Sequence, residues 1–451
     1  MRIVISGCLL ATLILSACNS TRKTSNSAGA VTKADALQEL LNSTPLQSAH
    51  VGISVFDPTS GEHLYNHQAN KYFVPASNTK IPTCYAAMKF LGDSTLTFRF
   101  AENDTAIFIR PAGDPSFMHR DYSKQPAIDW LKTIKKPVYF IDDHWKTNAW
   151  GSGWSWSDYD ATYMAERSPL PVYGNTVVWE KVLIMDPDSE EMQSAVSSDP
   201  SADWQVLFSL DDPNGKFRIE RAMTENLFTI HEGAESNPKV ELPFVTNGLQ
   251  TAIPILADSL QRELGYRDRY PGKNTEWKNI QSQPLDSVLK PMMNRSDNFM
   301  AEQLLLMTSN RLTGQMRERL AIDSLLKTLL ADLPDAPRWV DGSGLSRYNL
   351  FTPRDFVSIL LKMQTEFGLP RVQGIFPAGG AGTLSNYYKA DTPFLYAKTG
   401  TLSGVVALSG FLKTDSGRWL IFSVLINNHQ ASATDVRRAV EQFLLSVKTN
   451  Y

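Results

Sequence analysis

Residues 74–80 read VPASNTK, and the run continues IPTCYAAMKFLG to Gly92. Ser77 and Lys80 are three residues apart at the head of a predicted helix. Pro82 falls in the first turns, where its missing N–H costs least, and Gly92 marks the end. On a helix that spacing puts both side chains on one face, so the amine can reach the hydroxyl. Two readings fit: a nucleophile with its base, or a serine cap followed by a surface charge. The spacing does not choose, because Ser-x-x-Lys occurs at Ser20, Ser77, Ser236, Ser287 and Ser324.

The choice comes from two tripeptides that each occur once, Ser-Asp-Asn at 296–298 and Lys-Thr-Gly at 398–400. An ordinary lysine, with a pKa of about 10.4, is no base near neutrality; burial and a neighbouring positive charge lower it. Lys398 offers that charge, and with the Thr399 hydroxyl it can attract a substrate carboxylate. Ser296 offers a hydroxyl to pass a proton from Lys80 to a leaving amine, and the Asn298 amide can bond both lysine and substrate. Gly400 allows substrate close along a strand edge. Singly, Ser296 beside Asp297 is a helix cap and Lys398 a strand-edge charge; three motifs in this order make those separate explanations improbable.

Ser-x-x-Lys, Ser-Asp-Asn and Lys-Thr-Gly in this order resemble the serine acyl-transferase set of penicillin-binding proteins and active-site-serine β-lactamases. More specifically, the chain resembles the class C low-molecular-mass penicillin-binding proteins, the D-alanyl-D-alanine carboxypeptidase/endopeptidase family. PASNTK, AGDPSF, GSGWSWSD, PLDSVLKPMMNRSDNFMAEQLLL, DGSGLSRYNLFTP, AGGAGTLSN and AKTGTLSGVVALSG carry the likeness. So does the spacing: 215 residues (81 to 295) separate the first two motifs, against 99 (299 to 397) between the last two. That family carries one or two small domains inserted there. The lead into Gly-Asp-Pro departs from the family's glycine-rich pattern, reading RPAGDPSF, and the region is short.

The resemblance implies an α+β fold: a transpeptidase-like domain of antiparallel sheet flanked by helices, with an inserted, mainly β, smaller domain or pair of domains. Local pattern agrees. HVGISVFDPTSGEHLYNH reads as a hairpin, and YAKTGTLSG, VVALSGFL and RWLIFSVLIN as three late strands before an amphipathic helix. The expected division is 33–94 and 246–451 for the main domain and 95–245 for the insertion. The resemblance also implies Ser77, Lys80, Ser296, Asn298 and Lys398 as catalytic residues. Thr399, Gly400 and Thr401 would bind substrate, the Ser77 and Thr401 N–H groups facing the oxyanion. Peptidoglycan stem peptides are the implied substrate, β-lactams the covalent inhibitors, and no cofactor or metal is called for. Between the last two motifs the only glutamates are Glu302, Glu318 and Glu366, none followed by asparagine three residues on. The deacylating Glu-x-x-Asn of class A β-lactamases is thus missing, which favours slow deacylation of β-lactams. A serine β-lactamase and an inactive peptidoglycan-binding lipoprotein are the alternatives.

Composition sets the remaining bounds. A net charge of −3 and a pI near 6.2 give no general pull toward nucleic acid. The seven histidines are scattered, and HEGAE at His231 lacks the second histidine of a zinc helix. Residues 1–17, with Arg2 and the apolar run IVISGCLLATLIL, read as an export signal too short to span a membrane comfortably. LSAC ending at Cys18 resembles a lipobox, and 18–32 reads as a polar tether. The expected location is the cell envelope, lipid-anchored and facing the periplasm, at the outer membrane. Cys84 would then be the sole cysteine of the folded part, expected as a buried, inert thiol. Trp145, Trp150, Trp154 and Trp156, crowded into HWKTNAWGSGWSW, are expected as a local core or docking surface for the small inserted domain in preference to a sugar-stacking surface.

Overall fold

The computed structural model describes residues 33–185, 192–209, 215–235, 238–272 and 276–451; the signal, the tether and Cys18 lie outside them. A five-stranded antiparallel sheet forms the frame, in the order Leu395–Leu402, Val405–Lys413, Trp419–Asn427, His50–Asp57 and Glu62–His67. Its central strands are apolar on both faces because helices cover both. Val406, Leu408 and Leu412 pack on one side with the closing helix Ala433–Asn450 and the first helix Lys33–Asn42. Ala407 and Phe411, alternating with them, pack on the other side with Lys80–Phe90, Asn298–Thr313 and Pro353–Phe367. Both chain ends complete one sheet, as the sequence pattern suggests.

Cys84 lies fully buried in the second of these layers, 3.9 Å from the Met88 sulfur, and burial raises its thiol pKa. It is the inert thiol expected.

The insertion is mainly β. One sheet of five strands runs Gly265–Tyr266, Val138–Phe140, Ile107–Pro111, Ser94–Glu102, Lys278–Pro284, and two sheets of three strands follow Tyr173. Phe98, Phe117, Phe140, Trp179, Phe228 and Phe244 share its core with Leu249, Ile255 and Leu256. The boundary expected at 245/246 is therefore too early. The helix Ala252–Leu260 packs in this core, and Lys278–Pro284 pairs with Ser94–Glu102, so the insertion runs from Ser94 to Pro284. The long helical stretch 285–313 also divides. Leu285–Asn294 and Asn298–Thr313 meet at a break where Ser296 takes a left-handed φ of 64°.

Candidate active site

Ser77 does not cap a helix. It lies in a tight 3₁₀ turn, Ala76–Thr79, that leads into Lys80–Phe90 without any side-chain cap. The turn is held from outside. The Asn427 side chain bonds the backbone of Val74 in both directions (2.8 and 3.0 Å), and the Asn78 amide bridges the Lys398 carbonyl (2.8 Å) and Ser409 Oγ (2.7 Å). Ala76, just before the serine, has a φ of 47°, a conformation that costs about 1–3 kcal/mol in a non-glycine residue. Such strain is held only where surrounding structure over-determines it, as here.

The Lys80 amine, fully buried, donates to Ser77 Oγ (3.0 Å), Asn298 Oδ1 (2.5 Å) and the carbonyl of Ser343 (2.7 Å). Burial lowers its pKa to about 8, against the opposing pull of Asp341, Asp297 and Glu302. Lys398, equally buried, donates to Ser296 Oγ (2.9 Å) and the Thr399 carbonyl (2.7 Å). Its pKa lies well below the usual lysine value, through burial first and repulsion by Lys80 second. Burial is thus the leading cause for both amines, and the repulsion between them, which disfavours charging either one, is secondary.

The other expected residues converge on the same place with adjusted partners. The Ser296 hydroxyl bonds Lys398, and Asp297, not Ser296, caps its helix by accepting from Met300 N at 2.9 Å. Asn298 spans from Lys80 to the Tyr163 carbonyl, to which its Nδ2 donates at 2.9 Å. Gly400 is glycine because the turn that holds Ser77 presses on it. A Cβ there would lie 2.7 Å from the Pro75 carbonyl and 3.1 Å from the Ser77 nitrogen. Thr399 bonds Thr383 (2.8 Å) and Thr401 accepts from Arg437 (2.6 Å), one on each side of that contact.

Sequence reasoning missed one wall of the site, the loop DGSGLS at 341–346. Gly344 has a φ of 86°, and a Cβ on it would overlap the Ala76 carbonyl at 1.9 Å. Asp341 organises the loop by accepting from Gly344 N (2.9 Å), Ser346 N (2.7 Å), Asn349 Nδ2 (2.7 Å) and Trp154 Nε1 (2.9 Å). A Gly-Ser-Gly after aspartate was the available signal for such a turn. Trp154 thereby ties the insertion to the site, while the Trp150 carbonyl accepts from the buried Arg167 at 3.0 Å within the insertion. Trp156, 71% exposed, stands apart.

Buried paired lysines and a Ser-Asp-Asn turn on an α+β frame define a serine acyl-transferring enzyme with the penicillin-binding-protein/β-lactamase fold. The chain belongs to the D-Ala-D-Ala carboxypeptidase 3 (S13) family, whose model matches residues 33–447. It is 32% identical to the D-alanyl-D-alanine carboxypeptidase DacB of Haemophilus influenzae, over 85% of this chain and 86% of that protein. It is also 24% identical to the D-alanyl-D-alanine carboxypeptidase of Actinomadura sp. strain R39, covering 88% and 81%. Among solved structures, penicillin binding protein 4 (dacB) from Haemophilus influenzae superposes with a TM-score of 0.71 at 20% identity, covering 92% of this chain and 98% of that one.

Proposed function

We propose that this serine-type D-Ala-D-Ala carboxypeptidase/endopeptidase works through an acyl-enzyme on Ser77, with Lys80 as the base. The single observation that carries this reading is the Ser77 hydroxyl 3.0 Å from a fully buried amine whose pKa is lowered to about 8. Neutral Lys80 takes the hydroxyl proton as Oγ attacks the carbonyl carbon of the penultimate D-alanine. The backbone N–H groups of Ser77 and Thr401 receive the oxyanion. The C–N bond then breaks, and the leaving amine receives the proton held by Lys80 through Ser296, polarised by Lys398. Neutral Lys80 next takes a proton from the water that attacks the ester and passes it to Ser77 Oγ as the C–O bond breaks, which frees the shortened peptide and restores the hydroxyl and the neutral amine. Thr399, Gly400 and Thr401 line the strand along which the peptide lies, and Lys398 attracts the terminal carboxylate.

Stem peptides of peptidoglycan are the substrate class, and β-lactams acylate the same oxygen. A terminal D-alanine and a crosslinked peptide leave from the same acyl chemistry, so both activities follow. Digestion of purified muropeptides should release D-alanine from pentapeptides and shorten crosslinked dimers. Recovery of both substrates intact would sink the proposal.

The Cys18 reading adds an envelope location: lipid-anchored, periplasm-facing, at the outer membrane. No helix among the described residues is long and apolar enough to cross a membrane. Cys18→Ser is expected to move the protein from the membrane to the soluble fraction; an unchanged membrane fraction would exclude the anchor.

A further inference from the structure

Glu302 stands one helical turn beyond Asn298, on the same face, and is 1% exposed. Its Oε1 accepts from the Ser343 backbone N–H at 2.7 Å, and the carbonyl of that same Ser343 accepts from Lys80 at 2.7 Å. Its Oε2 accepts from Arg167 Nη1 at 3.3 Å. Arg167 comes from the inserted unit and is also 1% exposed. Its Nη2 donates to the carbonyls of Asn148 (2.9 Å) and Trp150 (3.0 Å) and to Thr147 Oγ1 (3.3 Å), with Glu318 3.6 Å away. A buried carboxylate and a buried guanidinium are costly unless each is paired, so the chain Arg167–Glu302–Ser343–Lys80 is held in one geometry.

We infer that Glu302 is a positioning residue for the acyl-transfer reaction, fixing the Ser343 carbonyl on Lys80 and setting the charge beside that amine, with Arg167 as the insertion's hold on it. This rests on Ser77 and Lys80 acting as nucleophile and base. The insertion is then part of the catalytic apparatus. It reaches the base through one carboxylate and the backbone of one residue, Ser343.

The electrostatics give the role a sign. Lys80 is faced by Ser77, Asn298, the Ser343 carbonyl, Lys398 and the carboxylates Asp297, Asp341 and Glu302. Glu302 is faced by Arg167, Asp341, the Ser343 N–H and Lys80. Burial, then Asp341, raises the Glu302 pKa to about 7, and Arg167 opposes the rise. An ionised Glu302 supports the Lys80 ammonium. Neutralising it leaves burial less opposed, so Lys80 loses its proton at lower pH.

The test is the pH dependence of acylation by a fluorescent penicillin, with thermal unfolding followed in parallel. In Glu302→Gln, where an amide oxygen can still accept from Ser343, the rising limb should move to lower pH by on the order of one unit. Arg167→Met, which pushes Glu302 toward its neutral form, should move the limb in the same direction. The double variant should add nothing to the Glu302→Gln shift, since both changes act through one charge. Glu302→Ala should add a fall of roughly tenfold or more in the plateau, through loss of the Ser343 anchor. A purely structural role would lower the unfolding temperature and the active fraction while leaving the limb at its wild-type pH; that outcome overturns the inference. So does a further shift by Arg167→Met in the Glu302→Gln background. Should Glu302→Gln fail to fold, Arg167→Met decides alone. A failure of the underlying reading shows separately, as wild-type protein without a rising limb or Ser77→Ala that still labels.

Discussion

Ser77→Ala is expected to abolish covalent labelling by penicillin and to lower peptide turnover by roughly 10⁴-fold or more, because the oxygen proposed to carry the acyl group is removed. The structure makes this substitution a clean one. Ser77 caps nothing, and its turn is held by Asn78, Asn427 and Gly400, none of which touches the hydroxyl. Lys80 keeps the Asn298 oxygen and the Ser343 carbonyl as acceptors after Oγ is gone. Stability should therefore stay within about 0.5 kcal/mol of wild type. The measurement is gel fluorescence after incubation with a labelled penicillin, beside a thermal melt. Labelling of the alanine variant at the wild-type rate would remove Ser77 as nucleophile and return it to a turn residue.

The sequence made the proposed reacting groups legible as a set because each is a particular side chain in a particular order. Ser77, the Ser296–Asn298 turn and Lys398 come from three separate pieces of chain, and the structure brings them to one spot. What it did not make legible falls into two kinds. The third partner of Lys80 is a backbone carbonyl, which any residue type at 343 would supply; only Gly344, with its left-handed backbone against Ala76, marks the place. Glu302 and Arg167 carry charge that the sequence presents as ordinary helix and insertion residues. Their importance arises from burial, which local pattern does not report.

The insertion's end was misplaced for a related reason. Lys278–Pro284, KNIQSQP, is an edge strand with little apolar alternation, so nothing in it announces a sheet. The apolar helix Ala252–Leu260 resembles a return to the main core, yet it packs with Phe244 and Leu249 of the insertion. The helical run Leu285–Thr313 breaks at Ser-Asp-Asn, where the sequence offered a cap, though the capping side chain is Asp297 and not Ser296. The left-handed Ser296 that breaks it is what turns the hydroxyl toward Lys398.

Lys80→Met should reduce acylation by roughly 10²–10⁴-fold, the usual worth of a positioned base, while Ser77 remains in place. The wild-type rate should climb about tenfold per pH unit below pH 8 and level off above it, following the neutral fraction of an amine whose pKa is about 8. Lowering a lysine from its ordinary value of 10.5 to that point multiplies its neutral fraction at pH 7 by roughly 300. Stability carries the matching sign. The unfolded chain keeps the Lys80 proton up to its ordinary pKa, whereas the folded protein releases it at about 8, so between those values the unfolded state binds more protons. Stability from this group is therefore fully present above the ordinary pKa and is lost as the pH falls through 8. Measured as wild type minus Lys80→Met, unfolding free energy should rise by on the order of 3 kcal/mol across that window. A flat difference would mean that Lys80 keeps an ordinary pKa in the fold. The nucleophile would then need another base, and Lys398, bonded to Ser296, is the other buried amine in the site.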